Sequence, residues 1–289
     1  MPNVLDHARP LDTRLHDMLR SGKRLRGIFN GIPSPALVEM CAFAGFDFLV
    51  VDNEHGSASI ETTEHMLRAA RASNLPALVR CLEHDIARTL DIGAAGLQIP
   101  MVGTAAKAEA LVQRIKYPLP KGSSGISGLR GSAFSSRAAG YGAFGGPAHT
   151  RRSNEGIVLV VMIETPEGVS NASAIAAVDG VDAVFVGPND LAHNMGCENR
   201  WNEPPVQAAI ESALKAVAAA GKCPGILALT PEDEEKFAAW GARYFAIVST
   251  GIITKTLKEA AQRGRAALNY CEPRAPDRMR GCITIAHDS

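Results

Sequence analysis

Short apolar runs rich in β-branched residues recur along this chain, and each is followed by polar or turn residues and then by a longer segment with helical spacing. This order is typical of βαβ units, in which parallel strands alternate with the helices that cover them. The runs predict eight strands, at Leu25–Phe29, Phe48–Val51, Ala77–Arg80, Gly96–Ile99, Ile157–Ile163, Ala183–Val186, Gly225–Leu229 and Tyr244–Val248.

Amphipathic or alanine-rich segments follow these runs and predict eight helices. The start of the seventh carries a capping hydroxyl at Thr230, a proline suited to the first turn and two acids that favour the positive end of the helix dipole. Eight strand and helix pairs favour a (β/α)8 TIM barrel, an α/β fold, over an open doubly wound sheet. The helices are predicted at Pro35–Ala44, Ile60–Ser73, Asp85–Ile92, Ala105–Lys116, Val169–Val178, Pro205–Ala220, Pro231–Trp240 and Ile252–Leu268.

The length of 289 residues fits one TIM barrel, with two domains as the alternative. We predict a single catalytic domain over residues 1–271 and an irregular tail over residues 272–289, where no periodic pattern remains. The segment Leu11–Arg20 predicts an extra N-terminal helix that closes the bottom of the barrel. The region Pro118–Gly156 is rich in Gly, Ser and Arg and is too long for an ordinary connection, which is typical of lids and substrate-binding segments.

Composition and charge narrow the class of partner. The chain is 46% hydrophobic, and its 30 basic residues balance 30 acidic ones without a Lys/Arg cluster, so we predict a small-molecule partner and neither nucleic acid nor a membrane. The six cysteines are scattered without a C-x-x-C pair, which favours reduced thiols. The first residues lack a secretory pattern and no apolar run approaches the roughly 18 residues of a membrane span, so we predict a cytoplasmic location.

Polar residues follow several of the predicted strands directly. Asp52 to His55 come after the second strand, Arg80 ends the third, Glu164 follows the fifth and Gly187 to Asp190 follow the sixth. In a TIM barrel the site is built at the carboxyl ends of the strands. The sequence therefore predicts that these side chains meet around the mouth of the barrel.

Glu164 and Asp190 end consecutive predicted strands, which places their carboxylates within reach of one ion. Oxygen ligands without Cys or His suit a hard, octahedral cation that keeps positions open for water and substrate. Mg²⁺ or Mn²⁺ is the expected metal, with Co²⁺ as a further candidate. The alternative is that each acid caps the helix that follows it.

Arg80, His55 and Asp91 are the candidate groups for charge stabilisation and proton transfer. The planar fork of Arg80 suits the carboxylate of a small acid or an enolate oxygen, whereas a structural salt bridge is its alternative role. His55 ionises near neutral pH in its free form and could transfer a proton at the mouth, although a lone histidine is more often structural. Asp91 could orient the imidazole or simply end a helix.

Other chemistries lack their usual residues in the sequence. No predicted strand contains or ends in a lysine, which disfavours an aldolase that works through a Schiff base. The chain has neither a G-x-S-x-G elbow nor a P-loop, so acyl transfer and nucleotide hydrolysis are also disfavoured and no nucleotide cofactor is expected.

Taken together, these motifs resemble the metal-dependent, class II pyruvate aldolases of the HpcH/HpaI family and are similar to the 4-hydroxy-2-oxoheptanedioate and 2-keto-3-deoxy sugar-acid aldolases. The resemblance covers about residues 15–267. It rests on D-N-E-H-G at 52–56, Arg80 in L-V-R, G-L-Q-I-P-M-V at 96–102, L-R-G-S at 129–132, I-E-T at 163–165 and G-P-N-D-L at 187–191.

The resemblance implies an aldehyde-lyase (EC 4.1.2.-) that reversibly cleaves a 4-hydroxy-2-keto acid to pyruvate and an aldehyde through a metal-bound pyruvate enolate. By the same resemblance, Glu164 and Asp190 would bind the metal, Arg80 would stabilise the enolate, and His55 would transfer protons with the assistance of Asp91.

Further roles are also implied by the resemblance. The stretch Gly187, Pro188, Asn189 and Asp190 would offer backbone N–H groups to the substrate carboxylate, and Arg80 would also bind the substrate. Family members form homohexamers, as trimers of dimers, in which C-terminal helices are exchanged between subunits, so Ile252–Leu268 is expected to dock on a partner chain.

The residues around these groups include departures from close relatives. Asp52, Glu54 and Met162 are predicted to surround the metal and the catalytic groups. Met162 stands where close relatives have Gln, which removes a polar group that could hold a metal-bound water. Phe29 takes the place of a frequent tryptophan, and the acid usual after the last strand is replaced around residues 249–251.

Two alternatives to the aldolase remain open at this point. The first is a related metal-enolate lyase or decarboxylase, of acyl-CoA lyase or macrophomate-synthase type, for which Arg151 and Arg152 form only a faint phosphate-binding patch. The second is a non-catalytic barrel that binds keto acids as a sensor, suggested by Met162. Adding a divalent metal, pyruvate and an aldehyde would separate them.

Overall fold

The computed structural model describes residues 9–268, in which eight parallel strands form a closed barrel. Each strand pairs with the next along the chain, and the first pairs with the last, with Leu25 opposite Tyr244. The predicted (β/α)8 TIM barrel is confirmed. The strands are β1 Leu25–Asn30, β2 Phe48–Asp52, β3 Ala77–Arg80, β4 Gly96–Ile99, β5 Val158–Ile163, β6 Ala183–Val186, β7 Cys223–Leu227 and β8 Tyr244–Val248.

The helices connect the strands and begin at the capping residues that the sequence supplies. Side-chain oxygens of Ser34, Ser59, Thr104, Thr165 and Thr230 each accept a hydrogen bond from a backbone N–H in the first turn of the helix that follows. The helices are α1 Arg14–Arg20, α2 Pro35–Phe43, α3 Ile60–Ala72, α4 Ile86–Asp91, α5 Ala105–Ile115, α6 Pro147–Gly156, α7 Pro166–Ser170, α8 Ala172–Ala177, α9 Pro188–Asn194, α10 Pro204–Ala219, α11 Pro231–Ala239 and α12 Ser249–Leu268, with 3-10 turns at Glu83–Asp85 and Arg137–Gly142.

The seventh strand differs from its prediction, because β7 begins at Cys223 and ends at Leu227. The predicted strand, Gly225–Leu229, begins and ends two residues later, so Pro224 lies inside the observed strand although proline cannot donate to a strand ladder. Its carbonyl still accepts a hydrogen bond from the backbone N–H of Arg243 at 3.0 Å, which is sufficient for pairing in a parallel sheet. The helix predicted at Val169–Val178 also divides, into α7 and α8, at Asn171.

The hydrophobic core has two layers separated by the barrel wall. Phe48 and Val50 point into the barrel, whereas Leu49 and Val51 point outward against the helices. The inner layer also contains Leu15 and Leu19 from α1. This helix therefore closes the amino-terminal end of the barrel, as predicted, and leaves the carboxyl end available for a site.

The segment 118–156 does not cover the carboxyl rim of its own barrel, contrary to the prediction of a lid. Arg130 pairs with Asp91 at the end of α4, and Arg137 donates to the carbonyl of Ile92. Both acceptors precede β4, so these contacts lie toward the amino-terminal side of the barrel. The segment ends in α6, whose closing residue leads directly into the start of β5. The segment therefore packs toward the amino-terminal side of the barrel.

Contacts divide the chain into a unit that ends at Thr250 and holds all eight strands, and a second unit that begins at Gly251. The described part of the second unit is the body of α12, on which Ile252 and Leu257 are exposed. The predicted domain limit at residue 271 and the irregular tail 272–289 lie outside the described residues and stay predictions. Within residues 9–268, no helix combines the length and the apolar character needed to cross a membrane.

Candidate active site

The carboxyl ends of the strands surround a cavity of about 290 Å³. This volume suits a small molecule, since ligand pockets start at about 300 Å³. The cavity has an apolar floor and a polar rim. Its floor is formed by Phe29, Met162, Phe185, Leu227 and Val248, and its rim by Asp52, His55, Arg80, Glu164, Gly187, Pro188, Asn189 and Asp190.

Glu164 lies just beyond β5 and is only 2% exposed. One carboxylate oxygen accepts a hydrogen bond of 2.6 Å from the backbone N–H of Met101. Burial raises the pKa of Glu164 to about 7; the Met101 hydrogen bond and the Arg80 charge oppose this shift, and the charges of Asp190 and Glu54 add to it. The site therefore holds a carboxylate whose negative charge is poorly compensated by the protein.

Met101 is a site residue that sequence reasoning missed. Its backbone has a φ of 57°, a left-handed conformation that is uncommon for a residue with a side chain. This conformation accompanies the hydrogen bond that fixes Glu164. The sequence P-M-V after β4 contains no polar side chain that would have pointed to this contact, because the backbone N–H of Met101 makes it.

Asp190 lies in the first turn of α9, and its side chain is exposed at the cavity. Asn194 ties this helix to the end of β5, since its Nδ2 donates to the carbonyl of Glu164 at 2.9 Å and to that of Asp190 at 3.0 Å. Gly187 allows the close approach of the two segments, because a Cβ at this residue would lie 2.7 Å from Oε1 of Glu164.

Fewer backbone N–H groups are available for a substrate carboxylate than the sequence predicted. The N–H of Gly187 already donates to the carbonyl of Ile163 at 3.0 Å, and Pro188 has no N–H. Asn189 and Asp190 remain the residues whose N–H groups belong to the unsatisfied first turn of a helix. Their N–H groups are the available donors to a substrate carboxylate.

The residues present fit a divalent cation. Glu164 and Asp190 line the same cavity, and the charge of Asp190 raises the pKa of the buried glutamate, so a cation between them would relieve a repulsion. In the part of the chain that the structure describes, no group of three or more His, Cys, Asp or Glu side chains is placed to hold a metal. Two carboxylates with water and substrate in the remaining positions is the arrangement that Mg²⁺ commonly has in proteins.

Arg80 is held by two acids from the β2 end. Its Nε and Nη2 donate to the two carboxylate oxygens of Asp52 at 2.9 and 2.6 Å, and its Nη1 lies 3.2 Å from Oε2 of Glu54. The guanidinium also lies over the ring of Phe29, 5.0 Å from its centroid. Two of its five N–H groups donate to Asp52, and the others are left for Glu54 and for a ligand in the cavity. The salt bridge that was the alternative role of Arg80 is therefore present, and it fixes the orientation of the guanidinium group.

His55 lies at the outer edge of the cavity with 66% of its side chain exposed. Its backbone N–H donates to Asp52 at 3.3 Å, and its Nε2 is 3.8 Å from Oε2 of Glu54. The imidazole is thus close to a carboxylate and free to meet a substrate. The predicted neighbours Asp52 and Glu54 therefore contact both Arg80 and the His55 segment.

Within one chain, the structure does not bring Asp91 to His55. Asp91 ends α4 and its Oδ1 accepts a hydrogen bond of 2.8 Å from the buried guanidinium of Arg130. Because α4 runs away from the end of β3, its last residue lies on the side of the barrel opposite to the residues that follow β2. The carboxylate of Asp91 instead stabilises the segment around Arg130.

The raised pKa of Glu164 predicts a pH dependence of stability. A carboxyl group with an ordinary pKa of 4.5 holds its proton to about pH 7 in the folded protein, so its contribution to stability is complete below about pH 4.5 and is lost as the pH rises through 7. We expect the metal-free protein to lose up to about 3 kcal/mol between pH 5 and 8 from this group. Urea denaturation in the presence of a chelator measures it.

The control for this prediction is Glu164→Gln, which keeps the shape of the side chain and cannot ionise. The variant should lack this component of the pH profile. Parallel stability profiles for the two proteins between pH 5 and 8 would show that Glu164 has an ordinary pKa.

Comparison with known proteins places this site in a family. Residues 26–259 match the family model described as HpcH/HpaI aldolase/citrate lyase. The chain is 39% identical over 246 residues to a hydroxypyruvate/pyruvate aldolase of Delftia acidovorans, covering 84% of this chain and 87% of the relative. It is 35% identical over 257 residues to a 4-hydroxy-2-oxo-heptane-1,7-dioate aldolase of Salmonella dublin, covering 88% and 95%.

Comparison of the fold with solved structures finds the same family. A solved HpcH/HpaI aldolase/citrate lyase family protein from Burkholderia cenocepacia superposes with a TM-score of 0.81 at 30% identity, covering 88% of this chain and all of that chain. The family model, the relatives and the solved structure each match most of the chain. The chain belongs to the HpcH/HpaI aldolase/citrate lyase family.

Proposed function

We propose that the protein is a metal-dependent aldolase that reversibly cleaves a 4-hydroxy-2-keto acid to pyruvate and an aldehyde. The observation that carries this proposal is the placement of Glu164, Asp190 and Arg80 around one cavity of about 290 Å³ at the barrel mouth. Relatives at 35–39% identity that are named as pyruvate and hydroxy-keto acid aldolases support the reaction class.

The reaction breaks the bond between C3 and C4 of the keto acid. The 4-hydroxyl group loses its proton as the aldehyde forms, and the electron pair of the broken bond passes to the pyruvate fragment as an enolate, which is later protonated at C3. A protein lowers this barrier by fixing positive charge where the negative charge develops. A divalent cation held by Glu164 and Asp190 would supply Lewis acidity to the keto and carboxylate oxygens.

Arg80 supplies fixed positive charge from the protein itself. Asp52 holds its fork through two hydrogen bonds, so the guanidinium needs little reorganisation when the enolate forms. The N–H groups of Asn189 and Asp190 are the donors for the substrate carboxylate. Together they orient the keto acid with its reacting carbon toward the open side of the cavity.

His55 is the group that we propose for proton transfer at the 4-hydroxyl. It lies at the edge of the cavity where an aldehyde enters, and its imidazole is the exposed base of the rim. Oε2 of Glu54 lies 3.8 Å from Nε2 of the imidazole. The assistance predicted from Asp91 would have to come from another chain, because the Asp91 of the same chain ends α4 on the side of the barrel away from His55.

The alternative readings are less well supported. Relatives named as aldolases cover most of this chain, which disfavours both a non-catalytic sensor and a lyase of acyl-CoA or macrophomate-synthase type. Decarboxylation of oxaloacetate also produces a pyruvate enolate, so the same groups would support it as a side activity. Met162 gives the cavity floor an apolar side chain and is expected to affect the rate more than the reaction class.

The direct test is to add Mn²⁺ or Mg²⁺, pyruvate and a panel of aldehydes and to measure new 4-hydroxy-2-keto acids by mass spectrometry. We expect product with at least one small aldehyde and none when the metal is chelated. Binding of pyruvate without product across the whole panel would contradict the aldolase and support a sensor.

We propose Mg²⁺ or Mn²⁺ as the metal, without a nucleotide cofactor or a Schiff-base lysine. The partners are a small 2-keto acid and an aldehyde, and the homohexamer with exchanged C-terminal helices and the cytoplasmic location stay predictions from the sequence.

A further inference from the structure

Met101, in the turn that follows β4, has its two flanking peptide groups held by different parts of the protein. The group before it donates its N–H to Oε2 of Glu164 at 2.6 Å. The group after it donates its N–H, from Val102, to the carbonyl of Met162 at 2.9 Å, and its carbonyl accepts a hydrogen bond of 3.0 Å from Nζ of Lys107. Since only φ and ψ of Met101 separate these two groups, contacts with the second group also orient the N–H that meets Glu164.

The left-handed backbone of Met101 makes such contacts necessary. A φ of 57° is uncommon for a residue with a side chain and persists only where the surrounding structure holds it. Met101 is 47% exposed, so its side chain supplies little packing to hold this conformation. Of the groups that bind the two peptides, Lys107 is the one that lies outside both the barrel strands and the proposed metal ligands.

Lys107 lies in the first turn of α5, which is an unfavourable place for a cation. The positive end of the helix dipole favours acids there, and this turn contains none. Nζ of the lysine lies 3.2 Å from Oε1 of Glu83, and the two side chains are 36% and 43% exposed. An ion pair this exposed stabilises a fold little. The hydrogen bond to Met101 gives the lysine a role that the ion pair does not.

Glu83 connects this contact to the other side of the candidate active site. It lies three residues after Arg80, in the 3-10 turn that follows β3. Lys107 therefore links the segment that carries Arg80 to the turn that fixes Glu164. Arg114, on the same helix, binds the carboxylate of Glu83 at 3.1 Å and its carbonyl at 2.6 Å. This arginine shares the acid with Lys107 without a hydrogen bond to the turn after β4.

We propose that Lys107 is a positioning residue: it holds Met101 in the conformation whose N–H fixes Glu164, and it thereby raises the affinity of the site for a divalent cation. The proposal rests on the metal-dependent function proposed above. Contacts that orient a metal ligand commonly change metal affinity ten- to a hundredfold when they are removed. Lys107 acts through one intervening backbone, so we expect the lower end of that range.

The charge of Lys107 alone predicts the opposite result. Removing a positive charge near a cation site increases the affinity for the cation, since a repulsion is lost. Losing the contact that holds Met101 should decrease this affinity, because Glu164 is then less well oriented. The direction of the change in metal affinity therefore separates positioning from simple electrostatics.

The test uses the full-length protein with Lys107→Met, which keeps the length of the side chain and loses its donor. Mn²⁺ affinity, measured by titration calorimetry, should fall about tenfold. Without metal, the amide of Met101 should exchange its hydrogen at least about tenfold faster, because the hydrogen bond to Glu164 opens more often. Mass spectrometry of peptides that span the turn after β4 measures this exchange.

Two further variants serve as controls. Lys107→Arg keeps a charged donor of similar reach and should restore both the Mn²⁺ affinity and the slow exchange. Arg114→Met loses a cation from the same Glu83 but no contact with the turn, so it should leave both quantities at their wild-type values.

Unchanged exchange at Met101 in Lys107→Met would overturn the proposal, and so would Mn²⁺ binding that is equal to or tighter than that of the wild type. An equal effect of Arg114→Met would also overturn it, since the cause would then be the loss of charge beside Glu83. Failure of the wild-type protein to bind Mn²⁺ would instead contradict the proposed function, and the exchange measurement would still show whether Lys107 holds the turn.

Discussion

Replacing either metal-binding acid, as Glu164→Ala or Asp190→Ala, should reduce metal-stimulated aldol cleavage to the level seen with a chelator, a loss of at least about a thousandfold in kcat/KM. The reason is that the site offers two protein ligands, so each variant leaves one carboxylate to hold the cation. The rates are measured with saturating Mn²⁺, and metal affinity is measured separately by titration calorimetry. Both quantities should fall together.

The two acids should differ in their effect on the metal-free protein. Glu164 is buried with an unfavourable charge, so Glu164→Ala removes a repulsion as well as a side chain, whereas Asp190 is exposed and its loss should change stability little. The control is Glu167→Ala, which removes an exposed acid three residues after Glu164 that does not line the cavity. Full activity in either ligand variant would remove the metal assignment.

The fold could be predicted because the strands of a TIM barrel carry strong local signals. β3, β4, β6 and β8 begin and end where the apolar runs predict, since buried parallel strands read as continuous apolar segments. The polar residues after these runs also predicted the cavity rim, because the carboxyl ends of parallel strands meet at one end of the barrel. Both results follow from periodicity and topology, which a single sequence contains.

Contacts made by the backbone or by distant segments could not be predicted in this way. The N–H of Met101 fixes Glu164, yet any residue could supply an N–H, so the sequence gives no chemical signal. The family resemblance predicts that Asp91 assists His55, but within one chain the carboxylate of Asp91 pairs with Arg130, 39 residues later. The segment 118–156 has no periodicity over most of its length, so its direction relative to the barrel could not be inferred.

Arg80→Ala should lower kcat by at least about a hundredfold, equivalent to about 3 kcal/mol or more of transition-state stabilisation. The guanidinium is the fixed positive charge that the protein supplies at the rim of the cavity, and the enolate carries charge that the ground state lacks. The effect should therefore fall on kcat more than on KM. Exchange of the pyruvate methyl protons with D₂O, followed by NMR, measures enolate formation directly and should slow by the same factor.

A structural explanation of such a loss has to be separated from a catalytic one, because Arg80 also neutralises Asp52 and Glu54. The double variant Arg80→Ala with Asp52→Asn removes the buried carboxylate that the single variant leaves unpaired, so it should recover part of the lost stability without recovering enolate formation. Arg80→Lys keeps the charge and loses the paired donors, and we expect an intermediate rate. If the double variant regained the wild-type exchange rate, Arg80 would act only by holding the fold of the rim.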